Sequence, residues 1–181
     1  MKHNEPPEAR LITENKRETD VIIFRTPETG DGKYFWEIAK ASKTLDVNSA
    51  YHYLIMCRHF GRTCLAAEKQ GKVVGFVTAF IPPETPDTVF VWQVAVDEKQ
   101  RGRGLGVHML LNIFNNAKAA NVKNLNATIT ASNLASIKLF TSAARALNAP
   151  FEFEKEFFSA RDFGQNVHEA ETLFHIGPIP G

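Results

Sequence analysis

The segment of the chain with the clearest chemical potential is a short loop rich in glycine and arginine. It follows the apolar residues 94–96 and precedes an amphipathic segment, so a strand would pass through it into a helix. Main-chain amides in such a loop can turn inward as an anion-binding nest, and the helix dipole adds about half a positive charge there. Guanidinium groups can add bidentate contacts to phosphate oxygens. We therefore predict a phosphate-binding loop made of Arg101, Gly102, Arg103, Gly104, Leu105 and Gly106.

The spacing within this loop excludes two common classes of phosphate-binding site. A Walker motif needs Lys followed by Ser or Thr after its last glycine, but Val107 and His108 stand there. The dinucleotide fingerprint G-x-G-x-x-G fails because Val107 occupies the sixth position counted from Gly102. A plain turn from strand to helix is the remaining alternative, although such a turn does not need three glycines among arginines.

The composition is that of a folded globular protein. The 181 residues are 44% hydrophobic and carry 21 Lys plus Arg against 20 Asp plus Glu, so no large basic field favours nucleic acid as a partner. Two cysteines, Cys57 and Cys64, are too few for a disulfide framework or a tetrahedral zinc site. We expect reduced, buried thiols and no bound metal.

The beginning of the chain differs in character from the rest. Residues 1–19 are charged, contain two prolines and lack the apolar stretch of a secretory signal. No run of about 18 apolar residues occurs anywhere in the sequence. We therefore expect a flexible arm over residues 1–19, a single domain over residues 20–181, no membrane segment and a cytoplasmic location.

Hydrophobic periodicity predicts the elements that position the loop. The predicted strands are 21–25, 65–68, 73–77, 89–96, 125–130, 151–158 and 172–176. Helical spacing occurs over 34–39, 49–60, 104–120 and 134–147. This order of elements predicts a mixed sheet in an α/β or α+β sandwich, with the loop between the fourth strand and the third helix.

The loop and the element order together resemble those of the GNAT superfamily of N-acetyltransferases. The pyrophosphate-loop pattern of that family, R/Q-x-x-G-x-G/A, is filled by Arg101, Gly104 and Gly106. The resemblance implies an α/β GNAT-like fold with a mostly antiparallel mixed sheet and about four flanking helices. Strands four and five would splay apart, and the pantetheine arm of acetyl-CoA would pair with the exposed strand. The further cofactor contacts implied are main-chain groups of Val94 and Val96, with Asn133 and Lys138 on the following helix.

The chain departs from the family at one catalytic position. Many members carry a tyrosine in the helix after Asn133 that protonates the departing thiolate, and Phe140 stands there in this sequence. Another donor or solvent would protonate the thiol, or the thiolate would leave unprotonated. A non-catalytic module that binds acyl-CoA is therefore an alternative hypothesis.

Longer segments resemble one GNAT family, the L-2,4-diaminobutyrate acetyltransferases, which open the route to the compatible solute ectoine. These segments are 24–27, 45–51, 60–64, 91–96 and 131–133. The resemblance implies a homodimer that acetylates the 4-amino group of L-2,4-diaminobutyrate with acetyl-CoA and without a metal, in the setting of salt stress. A GNAT enzyme acting on ornithine, lysine, a polyamine or a protein N-terminus is the alternative within the same fold.

A diamino acid presents two ammonium groups and one carboxylate, so its pocket needs acids, an aromatic face and a cation or several amides. Strict alternation along the strand would place Trp92 on one face with Val94 and Val96, beside the thioester. Asp46 lies between the first two helices and could bind substrate or cap the next helix. Tyr51 could pack in the core or point its hydroxyl inward.

The last two candidate residues lie near the end of the chain. Alternation over 151–158 predicts the phenylalanines on one face and Glu152, Glu154 and Glu156 on the other, either solvated or bordering the acceptor site. His168, in the polar loop 164–169, could close over the acceptor.

The expected chemistry is direct transfer without an acyl-enzyme. An ammonium with a pKa of about 10.4 must lose its proton before it attacks the thioester, so the site needs a base. We predict Glu154 or Asp46 as that base, with a main-chain N–H near Val94 holding the developing oxyanion.

Overall fold

An eight-stranded mixed sheet with helices on both faces organises the chain. The computed structural model describes residues 21–43, 45–118, 120–164 and 168–180, and the main chain of residues 9–11. The strands are β1 (Ala9–Leu11), β2 (Ile22–Arg25), β3 (Leu65–Lys69), β4 (Lys72–Phe80), β5 (Thr88–Val96), β6 (Asn124–Thr130), β7 (Phe151–Phe158) and β8 (Glu171–Ile176). The helices are α1 (Gly32–Ser42), α2 (Ala50–His59), α3 (Leu105–Lys118) and α4 (Leu134–Ala146). The strands follow the order β1-β2-β3-β4-β5-β6-β8-β7 across the sheet.

The predicted order of elements is confirmed from β2 onward, and their bounds agree to within three residues. Strand β1 was not predicted. It falls inside the predicted flexible arm and pairs antiparallel with β2, with Ala9 opposite Phe24. The rest of that arm, residues 1–8 and 12–19, lies outside the described residues.

Each face of the sheet carries its own apolar cluster. Helices α1 and α2 pack on one face, where Phe35 stacks on Phe76 with ring centroids 4.5 Å apart. Helices α3 and α4 pack on the other face. The predicted apolar stripe of α3 is buried throughout, at Leu105, Met109, Leu110, Ile113, Phe114 and Ala117. Burial of each large apolar side chain contributes about 1.5–3 kcal/mol, which fixes α3, and the loop before it, against the sheet.

Strands β5 and β6 run parallel and are joined by the α3 crossover. They pair only over residues 88–90 and 124–126, and then they separate. Beyond that point β5 still pairs with β4, and β6 still pairs with β8 up to Thr130. The main-chain groups that face the gap are therefore free to pair with a ligand. The predicted splay between these two strands is confirmed.

A β-bulge in β5 changes the face on which Trp92 lies. Thr78 pairs with Gln93 and Ala79 pairs with Val91, so Trp92 is an extra residue in β5. Such a residue interrupts the alternation of side chains between the two faces.

The consequence of the bulge is seen in the contacts on either side of it. Val94 and Val96 pack against the α3–α4 cluster, whereas the Trp92 ring lies 5.3 Å from the His52 ring of α2. The prediction that Trp92 shares a face with Val94 and Val96 is wrong, because strict alternation does not survive the extra residue.

A second irregularity breaks the predicted pattern of β7. Glu154 lies opposite Leu173 and Phe158 lies opposite Glu171, so β7 uses more residues than β8 over this stretch. Glu156 adopts φ 53°, a left-handed conformation. The predicted single face of three glutamates is therefore wrong beyond Glu154.

Candidate active site

The glycine-rich loop has the geometry expected of an anion-binding site. Gly102 and Gly104 have φ values of 75° and 73°, which residues with a β-carbon adopt at a cost. The Gly104 carbonyl accepts a hydrogen bond from the His108 amide at 3.1 Å, so α3 begins directly after it. The first-turn amides of Leu105 and Gly106 have no intrahelical acceptor and can bind an anion.

Two residues of this segment also have structural contacts. Arg101 Nε donates a hydrogen bond to the Val96 carbonyl oxygen at 3.0 Å, which occupies one lone pair of a group predicted to meet pantetheine. A β-carbon at Gly106 would lie 3.0 Å from Leu139 Cδ1, so this glycine allows α3 and α4 to approach closely. Arg103 is exposed and free to reach a phosphate.

A cavity of about 650 Å³ opens where β5 and β6 separate. Residues 91–94 of β5 and 127–130 of β6 line it, together with Asn133 and Ser136 at the start of α4. Asn133 caps α4, because its Oδ1 accepts a hydrogen bond from the Ser136 amide at 3.1 Å, and its Nδ2 can still donate to a ligand. Lys138 lies on the exposed side of α4 and is outside this lining.

The position of the family tyrosine is occupied by an apolar ring. Phe140 is buried, lines the cavity and packs against Phe174 with centroids 5.8 Å apart. The hydroxyl groups in the lining belong to Thr128, Thr130 and Ser136. The replacement of the family tyrosine by Phe140 therefore leaves an apolar ring in the cavity wall.

Three ionisable side chains, those of Asp46, His168 and Glu171, meet at one end of this cavity. We call it the acceptor end. His168 Nε2 lies 3.0 Å from Asp46 Oδ2 and 3.8 Å from Glu171 Oε1. Asp46 comes from the loop between α1 and α2, 122 residues before His168. The Asp46 side chain is 84% exposed, whereas that of Glu171 is 15% exposed. Two residues predicted separately as substrate contacts, Asp46 and His168, are thus brought together with an acid that was not predicted.

His168 has the environment of an imidazolium. Its Nδ1 lies 2.7 Å from the Glu169 carbonyl oxygen and its Nε2 faces the Asp46 carboxylate, an arrangement that favours the protonated ring. The Glu169 carbonyl and then the Asp46 carboxylate raise the pKa of His168. The ring also stacks on Phe163 with centroids 4.3 Å apart.

Glu171 is an acid of the cavity lining that the sequence analysis did not single out. Burial raises the pKa of its carboxyl group, against the opposing effects of the Thr128 side chain and of His168. Its Oε2 is buried without a hydrogen-bond partner among the described residues. An arriving ammonium group would supply the missing bond. The signal in the sequence was an acid three residues after His168, directly before a predicted strand.

Aromatic side chains form the remaining wall of the acceptor end. Trp92 is half exposed and contacts the His52 ring and the Phe80 ring. Phe158 and Phe163 complete the wall, and neither was predicted to lie there. Trp92 therefore lines the cavity from the α2 side of the sheet, and its role as a wall for the substrate stays a prediction.

Two predicted site residues are not brought to the cavity. Tyr51 is 69% exposed on α2, so it neither packs in the core nor points inward. Its neighbour Tyr53 is the buried tyrosine. Glu154 is exposed on β7, which the strands β8 and β6 separate from the gap, and it does not line the cavity.

Two kinds of site are absent from the described part of the chain. Within residues 9–11, 21–43, 45–118, 120–164 and 168–180, His, Cys, Asp and Glu side chains form no group of three able to hold a metal ion. Over the same ranges, no helix has the length and apolar character needed to cross a bilayer.

Comparison with known proteins places this site in a family. A model of the acetyltransferase (GNAT) family matches residues 32–144. The L-2,4-diaminobutyric acid acetyltransferase of Marinococcus halophilus is 45% identical over 168 residues, which cover 93% of this chain and 96% of that protein. The protein of the same name from Halalkalibacterium halodurans is 46% identical over 158 residues, covering 87% and 82%.

A solved structure extends this similarity to three dimensions. Diaminobutyrate acetyltransferase EctA from Paenibacillus lautus, in complex with its substrate L-2,4-diaminobutyric acid and coenzyme A, matches with a TM-score of 0.82 and 37% identity. The match covers 88% of this chain and 96% of that one. The chain belongs to the acetyltransferase (GNAT) family and, within it, to the L-2,4-diaminobutyric acid acetyltransferases.

Proposed function

We propose that the protein transfers the acetyl group of acetyl-CoA to the 4-amino group of L-2,4-diaminobutyrate. The observation that carries this proposal is a cavity between β5 and β6 that has two acids, Asp46 and Glu171, at one end. Strand β5, which lines this cavity, continues into the glycine loop. The Paenibacillus lautus structure, described as a complex with that diamino acid and coenzyme A, supports the same substrates here.

The charges at the acceptor end match those of a diamino acid. Asp46 and Glu171 offer two carboxylates to two ammonium groups, and Trp92 offers an aromatic face to a cation. His168 balances part of the negative charge and holds Asp46 Oδ2 at 3.0 Å. We assign the binding of substrate to Asp46, Trp92, His168 and Glu171.

Glu171 is better placed than Glu154 to act as the base. It lines the cavity, and burial raises its pKa, which brings its basicity closer to the working pH. Asp46, already paired with His168, then anchors the substrate instead of removing its proton.

The reaction follows from this assignment. Glu171 takes a proton from the substrate ammonium, directly or through water, and the neutral nitrogen attacks the acetyl carbon. A main-chain N–H at the free edge of β5, near Val94, stabilises the negative charge that develops on the carbonyl oxygen. The nitrogen then loses its second proton to solvent and the carbon–sulfur bond breaks. The thiolate of CoA takes a proton from solvent, directly or relayed through a hydroxyl group of the lining.

The cofactor assignments follow the geometry of the loop. The amides from Gly102 to Gly106 bind the pyrophosphate, and Arg101 and Arg103 add charge. Main-chain groups of Val94 and Val96 pair with pantetheine, the Val96 carbonyl through the lone pair that Arg101 leaves open. Asn133 contributes its Nδ2. Lys138, outside the cavity, would reach only the solvent-exposed part of the cofactor.

A thiol-release assay with an acceptor panel tests the function. Purified protein and acetyl-CoA are mixed with L-2,4-diaminobutyrate, ornithine, lysine or a polyamine, and NMR of the product identifies the acetylated nitrogen. We expect diaminobutyrate to be preferred and its 4-amino nitrogen to carry the acetyl group. Preference for another amine would contradict the proposal, and binding of acetyl-CoA without thiol release would favour a non-catalytic module.

We further propose that the protein works as a homodimer in the cytoplasm, in ectoine synthesis under osmotic stress. The edge strand β7 supports a dimer, because all its residues, including four phenylalanines, are exposed in the single chain. Light scattering of the purified protein tests this state. A monomer at micromolar concentration would contradict it.

A further inference from the structure

A buried chain of hydrogen bonds links helix α2 to the loop that carries Asp46. The Tyr53 hydroxyl donates to Gln93 Oε1 at 2.9 Å, and Gln93 Nε2 donates to the Asp46 main-chain oxygen at 2.7 Å. Tyr53 is fully buried, and Gln93 is 6% exposed. Neither residue was predicted to belong to the site.

The chemistry of the bonded groups fixes which atom donates in each of these two hydrogen bonds. The Asp46 carbonyl oxygen can only accept, so the Gln93 amide must turn its NH₂ toward it. Gln93 Oε1 then faces Tyr53, whose hydroxyl must donate. Burial raises the pKa of Tyr53, and polar groups of Asn48, in the same loop as Asp46, oppose this effect. The main chain of Asp46 is therefore linked to the buried Tyr53 side chain through Gln93.

Asp46 needs such an anchor because its side chain is 84% exposed. Water competes for an exposed carboxylate, so its contact with His168 alone contributes little to its position. A buried amide bonded to the main chain of the same residue fixes the point from which the carboxylate extends. A glutamine inside a sheet also has a desolvation cost, which its two hydrogen bonds offset.

We propose that Gln93 and Tyr53 are positioning residues that hold Asp46 where it meets the acceptor amine and His168. This inference rests on the proposed function, because it assigns Asp46 to acceptor binding. Gln93 acts through Asp46 and does not itself react. Loss of the link should therefore affect use of the acceptor and leave binding of CoA intact.

Three substitutions test the link. Gln93→Met keeps the length of the side chain and removes both hydrogen bonds, whereas Tyr53→Phe removes only the first. Thr78→Val is the matched control: Thr78 lies directly opposite Gln93, is fully buried, and its hydroxyl has no hydrogen-bond partner among the described residues.

The kinetic effects should fall on the acceptor. We expect Gln93→Met to lower kcat/KM for diaminobutyrate about tenfold, mainly through KM, and Tyr53→Phe to lower it about threefold, as for loss of neutral hydrogen bonds. Thr78→Val should stay within about twofold of the wild type, and CoA affinity should change less than about twofold in all three.

A double-mutant cycle separates positioning from a merely structural role. If Gln93 acts through Asp46, Gln93→Met should change kcat/KM less than about twofold in the Asp46→Asn background. An equal loss in both backgrounds, or a matching loss of CoA affinity, would overturn the inference while the proposed function still stood.

A readout independent of activity covers the case in which diaminobutyrate is not the acceptor. The pKa of His168, followed by NMR titration of its ring protons, should fall in Gln93→Met because Asp46 is released, and it should not change in Thr78→Val. An unchanged His168 pKa in folded Gln93→Met protein would overturn the inference whatever the acceptor proves to be.

Discussion

The proposed cofactor end of the site and the acceptor end of the cavity use different chemical groups. The cofactor end is one continuous segment, from β5 through the glycine loop into α3, and it offers mainly main-chain groups. The acceptor end is an assembly of side chains, in which Asp46 and His168 meet across 122 residues of sequence. Substitutions should therefore damage the first by altering backbone conformation and the second by removing a functional group.

The largest effect should follow from removing the buried acid at the acceptor end. Glu171→Gln keeps the size of the side chain but loses the base, so kcat/KM for diaminobutyrate should fall by about 10² to 10⁴-fold, while CoA affinity stays the same. Steady-state kinetics and calorimetry measure the two quantities. Glu37→Gln, exposed on α1 and outside the cavity lining, is the control for removal of a glutamate charge.

The Glu154→Gln variant decides between the base predicted from the sequence and the base supported by the geometry. Glu154 is exposed and lies outside the cavity lining, so its loss should have little effect on turnover. A loss comparable to that of Glu171→Gln would return the role of base to Glu154.

The next effect belongs to the cofactor end. Gly104→Ala places a β-carbon at φ 73°, which costs about 1–2 kcal/mol, so CoA affinity should fall about 5- to 30-fold. The acceptor KM should be nearly unchanged. Gly30→Ala is a suitable control, because nothing lies within 4 Å of the added β-carbon there. Equal affinities of the two variants for CoA, measured by calorimetry, would contradict a site made of main-chain amides.

A smaller effect is expected at the aromatic wall. Trp92→Leu removes a cation-binding face, so kcat/KM for the acceptor should fall by about two- to fivefold. Trp92→Phe should retain most of the activity. A larger loss of CoA affinity than of acceptor use would show that this side chain serves the cofactor end.

The smallest effect concerns stability. A raised folded-state pKa means that protonated His168 stabilises the fold below its unfolded pKa of about 6.5, and that this contribution is lost as pH rises through the folded pKa. His168→Gln should therefore lower Tm at pH 5–6 by an amount equivalent to less than about 1 kcal/mol, and by less at pH 8. A larger drop in Tm at pH 8 than at pH 5.5 would contradict the sign of this contribution.

The cofactor end could be predicted from the sequence because its determinants are local. Strand, glycine loop and amphipathic helix follow one another, and each has its own periodicity. The same argument explains why the order of elements from β2 onward was predicted correctly.

The errors concern features that break regular alternation. One extra residue at Trp92 and the left-handed Glu156 change which side chains share a face, and both depend on pairing with a neighbouring strand. The alternation of apolar and polar residues in a sequence does not show where such a bulge occurs.

The acceptor end was predicted only in part because its contacts are tertiary. Asp46 and His168 were candidates on chemical grounds, but their pairing depends on the packing of two distant loops. Gln93 lies within the apolar segment 89–96, and Glu171 directly precedes the predicted strand 172–176. Neither position distinguishes a functional side chain from an ordinary polar residue of a strand. Their roles become visible only from burial and hydrogen bonding.

A crystal structure with CoA and L-2,4-diaminobutyrate bound tests the two-part construction of the cavity most directly. We predict the pyrophosphate against the amides from Gly102 to Gly106, pantetheine along the free edge of β5, and the substrate nitrogens within hydrogen-bonding distance of Asp46 and Glu171. A pyrophosphate bound away from this loop, or a diamino acid bound away from both acids, would contradict it.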